Sequence, residues 1–544
     1  MQFNSITFFI FLAGVYLFYR VLPHRGQNIL LLISSYVFYG WWDIRFLFLI
    51  VISTALDFSC GLLIHEGSMI KRQRTRVSAW VVVFAFFFVV VQWNKIILLL
   101  DKSKFSWGEL VSWKTGWLIF IGICLLTLFA HLMYGKISSL EASKKRKIFL
   151  IVSICGNLAI LGFFKYFNFF IDNLGIIIRG LGLNPTSFHL NIVLPVGISF
   201  YTFQTMNYTI DIYRRKLIPT SNIYDYALYV AFFPKLLAGP IERAVNLLPQ
   251  ITEKRNITID KTSRGLHLIL YGLFKKVVIA DGVVETVNQV FGATYQISWI
   301  DAVVGTFLFA VQIYCDFSGY SDIAIGTANL FGFEFMRNFH FPYFARNPSE
   351  FWGRWHISLS SWFRDYVFFP LGGPYGRTIR WIRNVLLTFF VTGLWHGAAW
   401  NYVIWGLYHG ILLCLHRIKE SFRTKKKRYK PPLMRAASAF PFFILTCLGW
   451  IIFRSHSIEQ IKNIFSALLF GIGNFKLNAP LPTPAALLGF PIFVIMEFIG
   501  YASNGKRIDE VLPVPIWTAA YAAMIFTLIM GLSYVSSEFI YFVF

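Results

Sequence analysis

Long apolar runs recur down the whole of this chain, and such runs leave a backbone few choices. Ile6–Leu22, Ile29–Trp42, Phe46–Ile64, Val77–Leu100, Trp117–Tyr134 and Ile148–Phe170 open the series. It resumes with Ala302–Tyr314, Val385–Trp400, Tyr402–Leu415, Ala439–Phe453, Ala485–Ile499 and Trp517–Leu532. A helix needs about 20 mostly apolar residues to cross the hydrocarbon core of a bilayer. In lipid every backbone N–H and C=O must be paired within the segment, so spanning runs are read as helices. The expected fold is all-α, a polytopic membrane protein with about a dozen crossings and half-crossings. Composition agrees where it bears on this point: 59 Phe and 17 Trp in 544 residues, with only 14% charged, are more aromatic surface than a soluble fold could hide.

The net charge of +24 raises nucleic acid as a partner, but its distribution argues against one. The cations sit in short clusters between apolar runs: Lys71–Arg76, Lys144–Lys147, Arg214–Lys216, and Arg417–Lys430 with eight Lys or Arg and one acid. Basic loops of this kind mark the cytoplasmic side of a membrane protein. Along the first six runs every second loop is basic, which puts the amino terminus outside. Ile6–Leu22 has no basic stretch before it and no small-residue cleavage site after it, so it reads as a retained first span rather than a signal peptide. The six cysteines are scattered without a CxxC pair. No metal site is expected from their spacing.

Between residues 170 and 300 the pattern changes. Val193–Phe203 and Tyr226–Leu237 are short and contain Pro195 and Pro234. Such runs suit re-entrant or interfacial segments, and the middle third is expected to line a cavity. There is no internal repeat. Repeat symmetry and paired intramembrane charges would be expected of a transporter or flippase, and neither is visible in the sequence.

The most polar part of the embedded chain runs from Tyr314 to Trp400. It opens with Tyr314-Cys315-Asp316-Phe317-Ser318-Gly319-Tyr320-Ser321-Asp322, two carboxylates read as ending an apolar helix. Next comes Phe351-Trp352-Gly353-Arg354-Trp355-His356-Ile357-Ser358-Leu359-Ser360, then Pro370-Leu371-Gly372-Gly373, then Gly393-Leu394-Trp395-His396-Gly397. An ionisable side chain inside a span is costly and marks a functional site by default. Imidazole is the side chain best placed to take a proton near neutral pH. His396 fits that description, although a histidine that only bonds a neighbouring helix would look the same. His356 lies among Arg and Trp, where an interfacial anchoring role is the other reading. No G-x-S-x-G or H-E-x-x-H motif is present.

Taken together these segments resemble the membrane-bound O-acyltransferase superfamily, and within it the bacterial branch of alginate O-acetylation. The resemblance extends to Asn28–Trp42, Leu194–Gln204 and Phe233–Ile241. It implies a ring of tilted helices plus re-entrant helices around a central tunnel, where a cytoplasmic acyl donor meets an acceptor from the other face. On this footing residues 1–544 form one membrane domain, with amino-terminal spans in 1–170, a catalytic core in 190–420 and carboxy-terminal spans in 436–544. The family's invariant histidine maps to His396 and its second histidine to His356. Asp316, Asp322 and Gln204 are candidate supporting groups. Gly353, Cys315, Thr392 and Ala399 depart from residues common in relatives without removing a catalytic group. The implied reaction passes an acetyl group from a thioester, with acetyl-CoA as donor and no bound cofactor, towards hydroxyls of an extracytoplasmic polysaccharide. It would do so directly or through a periplasmic or membrane-anchored acetyltransferase partner, in the bacterial inner membrane. D-alanyl transfer to teichoic acid from a carrier-protein thioester is the alternative within the family.

The orientation carries its own test. A reporter fused near Lys145 or Lys426 is expected to read as cytoplasmic and one near Trp107 as external; external labelling of both basic loops would reverse the assignment.

Overall fold

The computed structural model describes residues 1–91, 115–183, 189–237, 239–293, 295–422, 431–532 and 539. The Asp101–Lys114 segment, the end of the Val77–Leu100 run and residues 423–430 of the last basic tract lie outside them. Among the described residues the regular structure is helical, and eight helices are long and apolar enough to cross a membrane. They include Ile44–His65, Thr115–Ser138, Ala142–Gly180, Pro484–Ala502 and Val514–Gly531. The protein is therefore a multi-pass membrane protein.

The helices fall into two compact units. The first comprises Met1–Leu237, Ile241–Thr258 and Leu330–Phe335. Here the two short runs become helices Ile198–Tyr213 and Ile223–Ala231, largely buried. Pro195 precedes the first, and Gly197 turns the chain at φ 75°, where any Cβ would lie 2.5 Å from the Leu236 carbonyl oxygen. Asp57, fully buried, is satisfied across three helices: the Ser153 hydroxyl donates to it at 2.5 Å, the Asn157 amide at 2.7 Å, and Ser153 also meets Thr209 at 2.8 Å. A buried carboxylate persists because its lone pairs are filled.

The second unit comprises Ala238–Pro240, Ile259–Asn329 and Met336–Phe544. Its longest helix, Trp299–Leu330, has 32 residues, about 48 Å at 1.5 Å per residue. This corrects the expectation that Asp316 and Asp322 end an apolar helix, because the helix runs through both. The reason is charge pairing. Lys276 lies 2.8 Å from Asp316 and 2.8 Å from Asp281, and Lys275 lies 2.5 Å from Asp322 and 2.9 Å from the Ser318 hydroxyl. Paired intramembrane charges are thus present, contrary to the sequence reading. Asp316 and Asp322 lie 40 and 47 positions from their lysines in the chain, so no local pattern reveals those pairs.

Glycines bring those partners together. A Cβ on Gly272 would stand 2.6 Å from the Gly319 carbonyl oxygen, and one on Gly326 would stand 2.5 Å from that of Gly265. Helices Ile259–Leu273 and Trp299–Leu330 therefore run antiparallel with their backbones nearly touching, the close approach that small residues permit in membranes. Both lysines sit in a π-helical stretch, Phe274–Ala280, that continues the first of these helices. Antiparallel packing also leaves an excess of cations at one end of this unit, over the acids Asp260, Glu420, Asp509 and Glu510 found there. Helix starts at Ile259 and Thr378 and helix ends at Ser421 and Ala502 bring Lys261, Arg264, Arg377, Arg380, Arg383, Arg417, Lys419, Lys506 and Arg507 there. The opposite end holds Arg454, Lys462 and Lys476 among the described residues.

Lys276→Met is expected to destabilise the protein by about 3–5 kcal/mol, because it leaves two buried carboxylates facing one another without a cation. Adding Asp316→Asn should recover part of the loss. Thermal unfolding in detergent, compared for wild type, single and double variants, reads the effect; equal melting temperatures for all three would mean the pair carries no stability.

Candidate active site

The segment leading to His356 is built from local rules. Asn347 caps the short helix Pro348–Trp352 by accepting the Glu350 N–H at 2.9 Å, and Pro348 suits the first helical position. Gly353 and Arg354 then turn the chain. His356 follows in the left-handed region, φ 42° and ψ 54°, and its own Nδ1 accepts the Leu359 N–H at 3.3 Å to cap helix Ile357–Phe363. A bulky residue in that region costs about 1–3 kcal/mol and persists only where its surroundings hold it. Asn338 does the holding. Its carbonyl accepts the Ile357 N–H at 2.8 Å, its Oδ1 accepts the Ser358 hydroxyl at 2.6 Å, and its Nδ2 donates to Ser321 at 3.0 Å.

This geometry assigns the His356 tautomer. Nδ1 accepts a hydrogen bond, so in the neutral ring the hydrogen resides on Nε2. The ring is fully buried away from water. The ring packs edge-on against Phe317 at 4.6 Å between centroids and faces Trp395 at 6.0 Å.

His396 is the last residue of helix Thr378–His396, and extended backbone at Gly397 turns the chain into helix Trp400–Ser421. The two helices form a tight hairpin. A Cβ on Gly393 would stand 2.3 Å from the Tyr402 carbonyl oxygen, and one on Gly406 would stand 2.2 Å from that of Phe389. The glycines of the Gly393–Gly397 motif therefore let the hairpin close and leave His396 at its tip. Its buried ring is walled by Trp395 at 5.1 Å, Trp405 at 4.9 Å and Phe453 at 5.5 Å. Trp395 touches both histidines, so one aromatic cluster closes the 40-residue separation in sequence.

A cleft of about 680 Å³ opens beside this cluster. Ile357, Leu359 and Ser360 line it from the helix that His356 caps, and Thr388 and Thr392 line it from the helix that ends in His396. Arg364, His416 and Arg417 also line it, so it opens towards the basic end of the unit. Two of the departures from the family pattern, Gly353 and Thr392, face this cleft.

The three supporting candidates are placed elsewhere. Asp316 and Asp322 are engaged with Lys276 and Lys275. Their neighbour Phe317, not either carboxylate, meets His356. Gln204 belongs to the first unit, where its side-chain oxygen accepts from Lys235 and its backbone carbonyl accepts the Tyr229 hydroxyl at 2.8 Å. Sequence reasoning missed Asn338 and the two lysines, which carry no local signal. It also passed over His409, a fully buried histidine stacked on Phe351 at 5.8 Å and against Trp405 at 5.0 Å. The rule that singled out His396, an ionisable group inside an apolar run, would have found it.

Known proteins are similar to this chain in sequence. The family model described as "MBOAT, membrane-bound O-acyltransferase family" matches residues 171–453. The chain is 34% identical over 479 residues to the Pseudomonas aeruginosa protein named "Probable alginate O-acetylase AlgI", covering 88% of this chain and 76% of the relative. It is 34% identical over 384 residues to the Helicobacter pylori "Peptidoglycan O-acetyltransferase", covering 66% and 71%. It is 28% identical over 278 residues to the Bacillus subtilis "Teichoic acid D-alanyltransferase", covering 48% and 69%.

Asn338→Ala removes both side-chain bonds that hold the strained turn. The expected cost is about 1–3 kcal/mol, read as a lower melting temperature of the purified protein. An unchanged melting temperature for Asn338→Ala would show that the turn holds without it.

Proposed function

The chain belongs to the membrane-bound O-acyltransferase family and is an O-acyltransferase, and on that premise we propose that it passes an acetyl group from cytoplasmic acetyl-CoA towards hydroxyls of an extracytoplasmic polysaccharide. The observation that carries this reading is a pair of buried histidines joined through Trp395, one capping and one ending the two helices that line a cleft at the basic end of the second unit. Basic ends face the cytoplasm in bacterial inner-membrane proteins, so the cleft admits a donor from that side. Arg364 and Arg417 beside it suit the phosphates of a nucleotide-linked thioester. Its apolar remainder suits the pantetheine arm.

The chemistry follows from the two ring environments. His396 takes the proton from the incoming hydroxyl as the oxygen attacks the thioester carbonyl. The carbon–sulfur bond then breaks, and the same proton goes to the departing thiolate, so no proton is gained or lost overall. His356 supplies Nε2–H as a donor to the carbonyl oxygen while negative charge develops there. Base catalysis contributes about 10²–10⁴-fold, and holding the pair in place can contribute more. The hydroxyl belongs to the polymer itself or to a periplasmic or membrane-anchored acetyltransferase partner that completes delivery. Relatives named for alginate and peptidoglycan O-acetylation support a polysaccharide as the final acceptor.

His396→Ala should lower acetyl transfer by about 10²–10⁴-fold while membrane abundance and melting temperature stay at wild-type values. His356→Ala should also lose most activity. The measurements are CoA release from acetyl-CoA by protein in lipid nanodiscs supplied with a hydroxyl-bearing acceptor, and acetyl content of the polymer in cells. Near wild-type transfer by stable His396→Ala protein would sink the base assignment. Inert acetyl-CoA alongside a consumed D-alanyl carrier thioester would replace the donor with that of the teichoic-acid enzymes.

A further inference from the structure

A second cleft, of about 650 Å³, lies at the end of the second unit opposite the basic one. Its walls are the turn after helix Asp281–Phe291 and the helix Ile458–Phe470 with the loop that follows. Tyr295, Trp299 and Phe470 give it aromatic surface, and Gln296, Asn463 and Asn474 give it amides. Among the described lining residues there is one carboxylate, Glu459, and no lysine or arginine. The Tyr295 hydroxyl is buried without a hydrogen-bond partner among the described residues. Phe470 is 83% exposed.

The cleft is preformed. Gln460 donates to the Phe291 carbonyl and so ties its two walls together. Asp301 accepts the Asn478 N–H at 2.9 Å and the Asn478 side-chain amide at 2.8 Å, which fixes the loop carrying Asn474. It also adjoins the active site. Phe453, which walls His396, lies four residues before Ser457 in the cleft lining, and Asn401 at the hairpin tip donates to the carbonyls of Phe453 at 3.2 Å and Ser455 at 3.0 Å.

We propose that this cleft is the acceptor site and that it binds a neutral saccharide chain. The proposal rests on the acyltransferase reading above and specifies the class of its acceptor. A sugar ring offers a C–H face, which lies on an aromatic ring, and hydroxyls that both donate and accept. Amide side chains match those hydroxyls because each carries donors and an acceptor. A polymer of uronate units would bring one carboxylate per sugar against a described lining that holds Glu459 and neither lysine nor arginine, so nothing in that lining pairs with the added charge. The end of the unit is right as well. It faces away from the basic end, so it meets the extracytoplasmic side while the donor cleft meets the cytoplasm.

The test is calorimetric titration of the full-length protein in nanodiscs with three hexasaccharides: cellohexaose, chitohexaose and a hexauronate. Binding of either neutral probe is expected, weakened at least 5-fold by Trp299→Ala and by Asn463→Leu, and unchanged by His396→Ala. Asn463 is exposed on its helix, so that variant keeps the test independent of folding. Binding of the hexauronate alone, binding indifferent to both cleft variants, or no binding of any probe would overturn the proposal. CoA release from acetyl-CoA, measured on the same preparations, reports separately on the acyltransferase reading: it can persist when saccharide binding fails and can fail when saccharide binding persists.

Discussion

Two helices in a membrane bring their backbones into contact where a residue at the crossing is small, and the second unit is organised around such contacts. Gly265, Gly272, Gly319 and Gly326 allow one pair of helices to close, and Gly393 and Gly406 allow another. Each closure has a consequence that a wider spacing would cancel. The first puts Lys275 and Lys276 within 2.9 Å of carboxylates on the neighbouring helix. The second holds His396 at the tip of a hairpin, against the aromatic rings that exclude water from it. Lipid gives no hydrophobic drive between helices, so close packing and the polar pairs it permits must hold them together.

The charge pairs explain why a 32-residue helix passes through its own acidic stretch. Unpaired, either carboxylate would be expelled towards the surface and the helix would break. Paired, they fix the position of that helix, and Phe317, next to Asp316 in the chain, comes to rest on His356. Asp316 and Asp322 thus serve the site through the scaffold. The histidines in turn are made unlike each other by their backbones. His356 spends Nδ1 on capping its own helix and is left as a hydrogen donor at Nε2, while His396 ends its helix among aromatic rings. In the proposed function these two environments supply the donor and the base.

The two clefts face opposite ends of the unit and differ in lining as the two substrates of such a reaction differ. The one at the basic end is apolar with arginines. The other is aromatic and amide-lined with no cation among its described residues. Between them stand the histidine cluster and Phe453, which touches His396 and leads within four residues to the second cleft.

Helical class, multiple spans and both histidines are written in the order of residues. Apolar run length sets the first two because lipid offers the backbone no other partner, and an imidazole within an apolar run stands out for the same reason. Short-range rules account for the cap at Asn347 once the helix it starts is placed. What only the tertiary structure decided is which distant groups meet. Lys275 and Lys276 with their acids, Asn338 beneath the strained turn at His356, and the cleft shared by Trp299 and Asn463 all join residues tens to hundreds of positions apart. Their energies depend on distance in space and on exclusion of water, and neither quantity has a signature in a window of neighbouring residues.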